Sequence, residues 1–245
     1  MREKIIEFIR RKVKEANAKG VVIGLSGGVD STTTLFLCVQ ALGNDRILGV
    51  IMPSKINKKQ DTDDAVEICN ELDVEYKIIE INPILESFRN MLNLSDKKVA
   101  GNLMARVRMC ILYYFANKEK LLVVGTGNKS EFLQGYFTLH GDVACDLLPL
   151  GNLYKTEVKK LAEELDVPRR IIEKTPSAGL WIGQTDEGEL GVSYKNLDRI
   201  LPLLEKELSV EKIHQKTNVE KEKIKIVKDR MKRTEFKRKP INKSD

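Results

Sequence analysis

The chain has 245 residues, about one and a half times a typical ~150-residue domain, and its 42% hydrophobic and 32% charged content can bury a sizeable soluble core. The net charge of +6 is uneven: Lys221–Asp245 holds 11 Lys and Arg against 4 Asp and Glu, and the first 220 residues are close to neutral. That distribution excludes a uniformly basic, nucleic-acid-coating surface and leaves a basic tail to meet some anion. No apolar run approaches the ~20 residues of a membrane span, and no signal-peptide core follows Met1. Cys38, Cys69, Cys110 and Cys145 stand 31, 41 and 35 residues apart with no C-x-x-C. They read as buried, reduced thiols of a cytoplasmic protein, not as a zinc or redox cluster.

Residues 2–19 carry Ile5, Ile6, Ile9, Val13 and Ala16 at helical spacing, with Gly20 expected as the C-cap. Val21–Leu25 is a continuous apolar run of strand length. A glycine-rich turn follows it, then a buried helix over Ser31–Leu42 closed by Gly43. Ile47–Met52 predicts a second strand, and Thr62–Leu72 a helix with acidic residues where the dipole favours them. A third strand over Glu75–Ile81, helices over Pro83–Leu92 and Val99–Asn117, and a fourth strand over Leu121–Val124 complete the pattern. Strands alternate with helices and show no internal polar alternation, so the expected fold is α/β, a doubly wound parallel sheet covered on both faces.

From Gly125 to Leu190 little regular structure is expected beyond a helix at Lys155–Leu165 and a turn opened by Pro168. Glycines punctuate this stretch, and aromatics alternate with charges, the mark of functional loops. Residues 193–233 return to helix, with Leu197, Ile200, Leu201 and Leu204 on one face. The chain thus reads as one domain over 1–245, with a core to about 165 and a loop-rich, then helical and basic remainder.

The sharpest chemistry is Leu25-Ser26-Gly27-Gly28-Val29-Asp30-Ser31, directly after the first strand. It has neither Walker nor dinucleotide-fold spacing. It still makes a phosphate cradle: two glycines let the backbone approach an anion, and the next helix offers free N–H groups at its positive end. Asp30 beside a phosphate calls for a cation between them, and Mg²⁺ takes oxygen ligands from both. A second loop runs from Gly125-Thr126-Gly127-Asn128-Lys129-Ser130-Glu131 through Gly135-Tyr136-Phe137-Thr138 and Gly141-Asp142 to Asp146-Leu147-Leu148-Pro149-Leu150 and Lys155.

The first loop resembles the pyrophosphatase loop of N-type ATP pyrophosphatases. The second, with Lys174-Thr175-Pro176-Ser177-Ala178, Glu189–Tyr194 and the tail Phe236-Lys237-Arg238-Lys239-Pro240, resembles ammonia-dependent NAD synthetases over nearly the whole chain. The resemblance implies a Rossmann-like sheet of the adenine nucleotide alpha hydrolase type with a helical C-terminal region. It also implies amidation of deamido-NAD to NAD through an adenylate, with release of AMP and pyrophosphate. By resemblance Gly24, Leu25, Ser26, Gly27, Gly28, Val29, Asp30, Ser31, Thr126, Lys155 and Ser177 contact ATP, and Asp30 and Glu131 hold Mg²⁺. Asp30 and Lys155 carry the catalysis. Arg106, Leu139, His140, Asp146, Phe236 and Lys237 are placed against deamido-NAD.

Leu139 stands where the family often has lysine, with His140 beside it, and Phe236 replaces a usual histidine. These departures touch substrate affinity more than reaction type. Plainer readings exist for single residues: Glu131 also suits a helix start, Arg106 and still more Arg108 suit a solvated helix face, and His214 suits plain surface. No room is left for a glutaminase module, so ammonia is the expected nitrogen source, and the resemblance implies a homodimer. Two alternatives use the first loop: a tRNA-thiolating enzyme, which the scattered cysteines support poorly, and a non-enzymatic nucleotide-binding protein, which has no need of Glu131.

Overall fold

The computed structural model describes residues 1–92 and 94–239; Pro240 of the tail motif lies outside them. Helix α1 (Arg2–Glu15) leads to β1 (Gly20–Leu25), α2 (Val29–Leu42), β2 (Ile47–Ile51), α3 (Lys59–Glu71) and β3 (Glu75–Ile78). Helices α4 (Asn82–Met91) and α5 (Lys97–Glu119) precede β4 (Leu121–Val124). Short helices α6 (Lys129–Gln134), α7 (Lys155–Glu164), α8 (Arg169–Ile172) and α9 (Asp186–Leu190) punctuate the loop-rich stretch. The chain continues with α10 (Tyr194–Glu205), α11 (Val210–Thr217) and α12 (Lys221–Arg233), then a 3-10 turn at Glu235–Arg238.

The four strands form one parallel sheet in the order β3-β2-β1-β4. Val21 pairs with Ile47 and with Leu122, so β1 is central, with a neighbour on each side. Its side chains alternate between two apolar layers, as a doubly covered sheet requires. Val21, Ile23 and Leu25 pack with α1, α2, α3 and α7, through Ile9, Leu35, Ile68 and Val158. Val22 on β1 and Leu48 and Val50 on β2 pack with α4 and α5, through Leu85, Met104 and Phe115. A third apolar cluster joins α10, α11 and α12, and Leu133 of α6 packs against it. The chain leaves β1 toward β2 on one side and returns to β4 on the other. The crevice beyond the carboxyl ends of β1 and β4 is therefore the topological switch point, where such sheets bind ligands.

Several sequence expectations need correction. The first helix does not run to Gly20: it ends at Glu15, Asn17 makes the left-handed turn at φ 49°, and Gly20 opens β1. Gly20 is there for space, since a Cβ would lie 2.0 Å from the Arg46 carbonyl oxygen. The third strand stops at Ile78, short of the expected Ile81. The Gly125–Leu190 stretch holds α6 and α9, too short for periodicity to reveal but each marked by caps. Asn128 and Glu131 form a capping box on α6, and Thr185 accepts from Gly188 N at the start of α9, whose C-cap is Gly191 at φ 72°. All four cysteines are unpaired, but only Cys38 and Cys69 are buried; Cys110 is exposed on α5 and Cys145 half-buried. No helix among the described residues is long and apolar enough to cross a membrane.

Candidate active site

The loop between β1 and α2 turns on Gly27, whose φ of 71° suits glycine. A Cβ there would sit 2.1 Å from the Asp61 carbonyl oxygen. Gly28 then takes extended backbone as the N-cap of α2, with Asp30 in the first turn. The two serine hydroxyls meet across the loop, Ser26 Oγ and Ser31 Oγ lying 3.1 Å apart, and Ser31 Oγ donates to the Gly28 carbonyl. Thr33 and Thr34 hydroxyls donate to the Val29 and Asp30 carbonyls. The hydroxyls thus secure the turn and leave the N-terminus of α2 directed at the crevice.

Thr126 follows β4, half-buried, in the adjacent loop. Two residues on, fully buried Asn128 caps α6 and donates through Nδ2 to Asp30 Oδ1 at 3.0 Å. Glu131 divides its carboxylate. Oε2 accepts from Asn128 N at 3.2 Å to complete the capping box, while Oε1 faces Lys155 Nζ at 3.4 Å. Its helix-start role and its place at the site are one arrangement.

Lys155 opens α7 and is only 2% exposed. Its ammonium bridges Asp30 and Glu131 and lies 5.1 Å from the centre of the Tyr194 ring. Its backbone N–H donates to Ser130 Oγ, which donates to Asp198 Oδ1; Asp198 Oδ2 accepts from Thr156 N at 2.7 Å. Helix α10 thereby fixes the starts of α6 and α7 together. Behind the lysine, buried Asp186 lies 3.0 Å from the Tyr194 hydroxyl and 3.1 Å from that of Tyr136. Tyr136 also donates to Glu189 at 2.7 Å.

The electrostatics follow from this burial. Desolvation lifts the Glu131 carboxyl to about 7, with help from the charges of Asp30 and Asp186 and against the pull of Lys155. Burial opposes the Lys155 charge, but Asp30 and Glu131 outweigh it and hold the ammonium above the usual lysine range. Asp186 is raised, chiefly by burial. One lysine faces three carboxylates, a surplus of negative charge at the end of a phosphate-cradling loop.

This donor set fits Mg²⁺, which keeps several waters and takes one or two carboxylates with its remaining ligands from phosphate. Among the described residues no three carboxylate, His or Cys side chains form a metal cage.

A family model for NAD synthase matches residues 1–241. The chain is 55% identical over 239 residues to the NH(3)-dependent NAD(+) synthetase of Methanocaldococcus jannaschii, covering 96% of this chain and 92% of that protein. The Pyrococcus furiosus NH(3)-dependent NAD(+) synthetase is 50% identical over 238 residues, with the same two coverages. Among solved structures, the NMN synthetase of Francisella tularensis superposes with a TM-score of 0.88 at 36% identity, over 100% of this chain and 97% of that one. The NH3-dependent NAD synthetase of Campylobacter jejuni gives 0.86 at 36% identity, with the same coverages. The chain belongs to the NAD synthase family.

Not every residue expected at a ligand site joins the cluster of Asp30, Glu131 and Lys155. Arg106 is exposed on α5 and donates through Nε and Nη2 to the Leu139 carbonyl, at 3.3 and 3.2 Å. This places it beside His140, which is exposed at φ 59°. Asp146 lines the outer edge of β4: it accepts from Val123 N at 2.7 Å and from the Tyr113 hydroxyl at 3.1 Å. Ser177 Oγ is engaged within its own loop, donating to the Gln184 carbonyl at 2.8 Å. Lys237 Nζ donates to the Gly135 and Phe137 carbonyls at 2.8 and 2.6 Å, while Phe236 points outward, 63% exposed.

Sequence reasoning gave no role to Asn128, Asp186 or Tyr194, and it ranked Arg108 as more solvated than Arg106. The structure reverses that order. Arg108 donates to the Met52 carbonyl and to Asn57 Oδ1, and burial pushes its guanidinium down to about 10. His214 is half-buried, its Nδ1 2.8 Å from the Val219 carbonyl.

Proposed function

We propose that the chain amidates deamido-NAD (nicotinic acid adenine dinucleotide) to NAD, with ATP as co-substrate and ammonia as nitrogen donor. What carries the reading is the meeting of Asp30, Glu131 and Lys155 at the switch point of an NAD synthase sheet. The substrate carboxylate attacks the α-phosphorus of ATP. The new oxygen–phosphorus bond forms as the bond to the bridging oxygen breaks, releasing pyrophosphate and leaving an adenylated substrate. Ammonia adds to the activated carbonyl, loses a proton, and AMP departs. No side chain acts as a nucleophile, because the substrate supplies its own.

The N–H groups at the start of α2 and the Lys155 ammonium offset the charge that develops on the phosphates. Asp30 and Glu131 would hold Mg²⁺, which when bound neutralises the departing pyrophosphate. Gly24–Ser31, Thr126 and Ser177 are the proposed ATP contacts, and Arg106, Leu139, His140, Asp146, Phe236 and Lys237 those for deamido-NAD. In support, Arg106 and His140 lie together at the surface, joined through the Leu139 carbonyl. For Asp146 and Lys237 the support is indirect: both order backbone next to the loops they would serve. Residues 1–245 would act as one unit, and the unpaired thiols suit a reducing, cytoplasmic setting.

The test is a pyrophosphate assay with ATP, Mg²⁺ and either deamido-NAD or nicotinic acid mononucleotide. Release is expected to require deamido-NAD, and NAD to appear only when ammonia is added. Release without a carboxylate substrate, or preference for the mononucleotide, would overturn the assignment.

A homodimer belongs to the same proposal. Between α4 and α5 lies an open apolar groove of about 480 Å³, lined by Ile84, Phe88, Leu103, Val107 and Tyr114, with Arg106 among its lining residues. Ile84 and Tyr114 are exposed, and this uncovered apolar face is where a second copy would pack. Burying it against a second copy would bring Arg106 close to the partner. Light scattering is expected to give twice the 27.8 kDa chain mass, and a monomer at micromolar concentration would refute it.

A further inference from the structure

We infer that Lys174 is a positioning residue for the ATP loop: from behind, it holds the Gly27 carbonyl away from the crevice and so fixes the turn that leads into the N-terminus of α2. Lys174 lies 147 residues from the loop, yet its Nζ donates to the Gly27 carbonyl at 2.8 Å. The same ammonium pairs with Asp61 Oδ1 at 2.9 Å and with Asp64 Oδ2 at 2.5 Å. Asp64 is 1% exposed and is held in place by Gln60 and Arg170 as well. The lysine is therefore not free to swing: three oxygens from α3 and the loop saturate its three donors.

The geometry gives this a direct effect on the cradle. In a trans peptide the carbonyl of one residue and the N–H of the next point in opposite directions. Drawing the Gly27 carbonyl toward Lys174 turns the Gly28 N–H the other way, where it meets Ser26 Oγ at 3.3 Å. An anion-binding loop needs its carbonyls turned outward, since any that point inward repel phosphate. The left-handed φ of Gly27 and its approach to Asp61 describe the same clamp from the loop's side.

A second stitch ties the same two segments. Asn57 Nδ2 donates to the Gly179 carbonyl at 3.2 Å, and Arg108 holds Asn57 Oδ1 at 3.0 Å. Lys174 and Gly179 flank Ser177, so the stretch carrying that residue is anchored on both sides to residues 57–64. Lys174 thus couples the loop after β1 to the Ser177 segment, and loosening it disorders two proposed ATP contacts at once.

The inference rests on the ATP reading of the loop, and calorimetry with the non-hydrolysable α,β-methylene analogue of ATP plus Mg²⁺ separates the two. Wild-type protein that does not bind the analogue refutes the ATP reading itself. If wild type binds, Lys174→Met is expected to weaken binding by about tenfold or more, the scale of one charge-assisted hydrogen bond. In turnover the loss should fall on KM for ATP, with KM for deamido-NAD within about twofold of wild type, and Lys174→Arg should recover part of the affinity. Because Lys174→Met leaves the buried Asp64 with one cation fewer, the double variant Lys174→Met/Asp64→Asn serves as the stability-matched form. It should melt near the wild-type temperature and still bind the analogue weakly. Wild-type affinity in a folded Lys174 variant would overturn the positioning role.

Discussion

Replacing Asp30 by alanine is expected to abolish deamido-NAD-dependent pyrophosphate release, lowering it on the order of 10³-fold or more, while the protein stays folded. The two halves of that expectation have separate causes. Asp30 is one of two carboxylates available to share a cation with the nucleotide, and its loss removes charge stabilisation when the pyrophosphate leaves. The fold survives because Lys155 keeps Glu131 at 3.4 Å, with the Asp186 charge also acting on it, so no buried charge is stranded. Glu131→Gln should be as inactive as Asp30→Ala and equally well folded, since glutamine can still accept at the N3 position of a capping box. Glu131→Ala, by contrast, also loses the carboxylate half of the α6 capping box, the bond from Asn128 N, and should melt lower than Glu131→Gln. Near-wild-type pyrophosphate release by Asp30→Ala, measured with the coupled assay, would refute the proposed mechanism.

Lys155→Met should damage both activity and stability. The ammonium is almost wholly buried between Asp30 and Glu131, with Asp186 close enough to shift its titration. Removing one partner of such a buried group costs about 3–5 kcal/mol, because the charges left behind repel and lack solvent. Denaturant midpoints should fall accordingly. Adenylation should drop on the order of 10²-fold or more as the positive charge facing the phosphates is lost. Divalent cation should return part of the lost stability, since the stranded carboxylates then have a counter-ion. A Lys155→Met protein with wild-type stability at low ionic strength, unaffected by Mg²⁺, would contradict the charge balance described for the site.

The parts of this arrangement that were legible in the sequence are those written locally. Val21–Leu25 reads as a strand because both faces of it are buried, and the Ser26–Ser31 turn declares its chemistry within six residues. The short helices α6 and α9 escaped periodicity; Glu131 alone suggested a helix start, and the caps that mark their ends, Asn128 with Glu131 and Thr185 with Gly191, are seen in the structure. The phase of α5 could not be read, because apolar residues surround that 23-residue helix. Arg106 and Arg108, two positions apart on nearly opposite faces, were therefore ranked in the wrong order. Asp186 and Tyr194 were invisible for a different reason. Their part in the site comes from burial beside Lys155, which no spacing records.

The tail shows the limit of charge arithmetic. Its basic residues suggested an anionic partner, yet Arg230 donates to the Glu189 carbonyl at 2.6 Å and Arg238 to the Leu133 carbonyl at 2.9 Å. With Lys237 on Gly135 and Phe137, much of the tail's hydrogen bonding goes to neutral backbone acceptors. A cation that satisfies a carbonyl and one that awaits a phosphate look the same in a sequence.

The order in which the site's members are made has a consequence for synthesis. Asp30 and Glu131 leave the ribosome before Lys155, so the growing chain first holds two carboxylates without their counter-charge. Asp198, which orients the start of α7 through Thr156, comes later still. Arg230 and Lys237, which fasten Glu189 and the loop around Phe137, follow after Asp198. All four strands are made by Val124, but α7, which covers one face of β1 through Val158, and the counter-charge of Lys155 both come after them. A chain cut after β4 would therefore hold all four strands and no working centre.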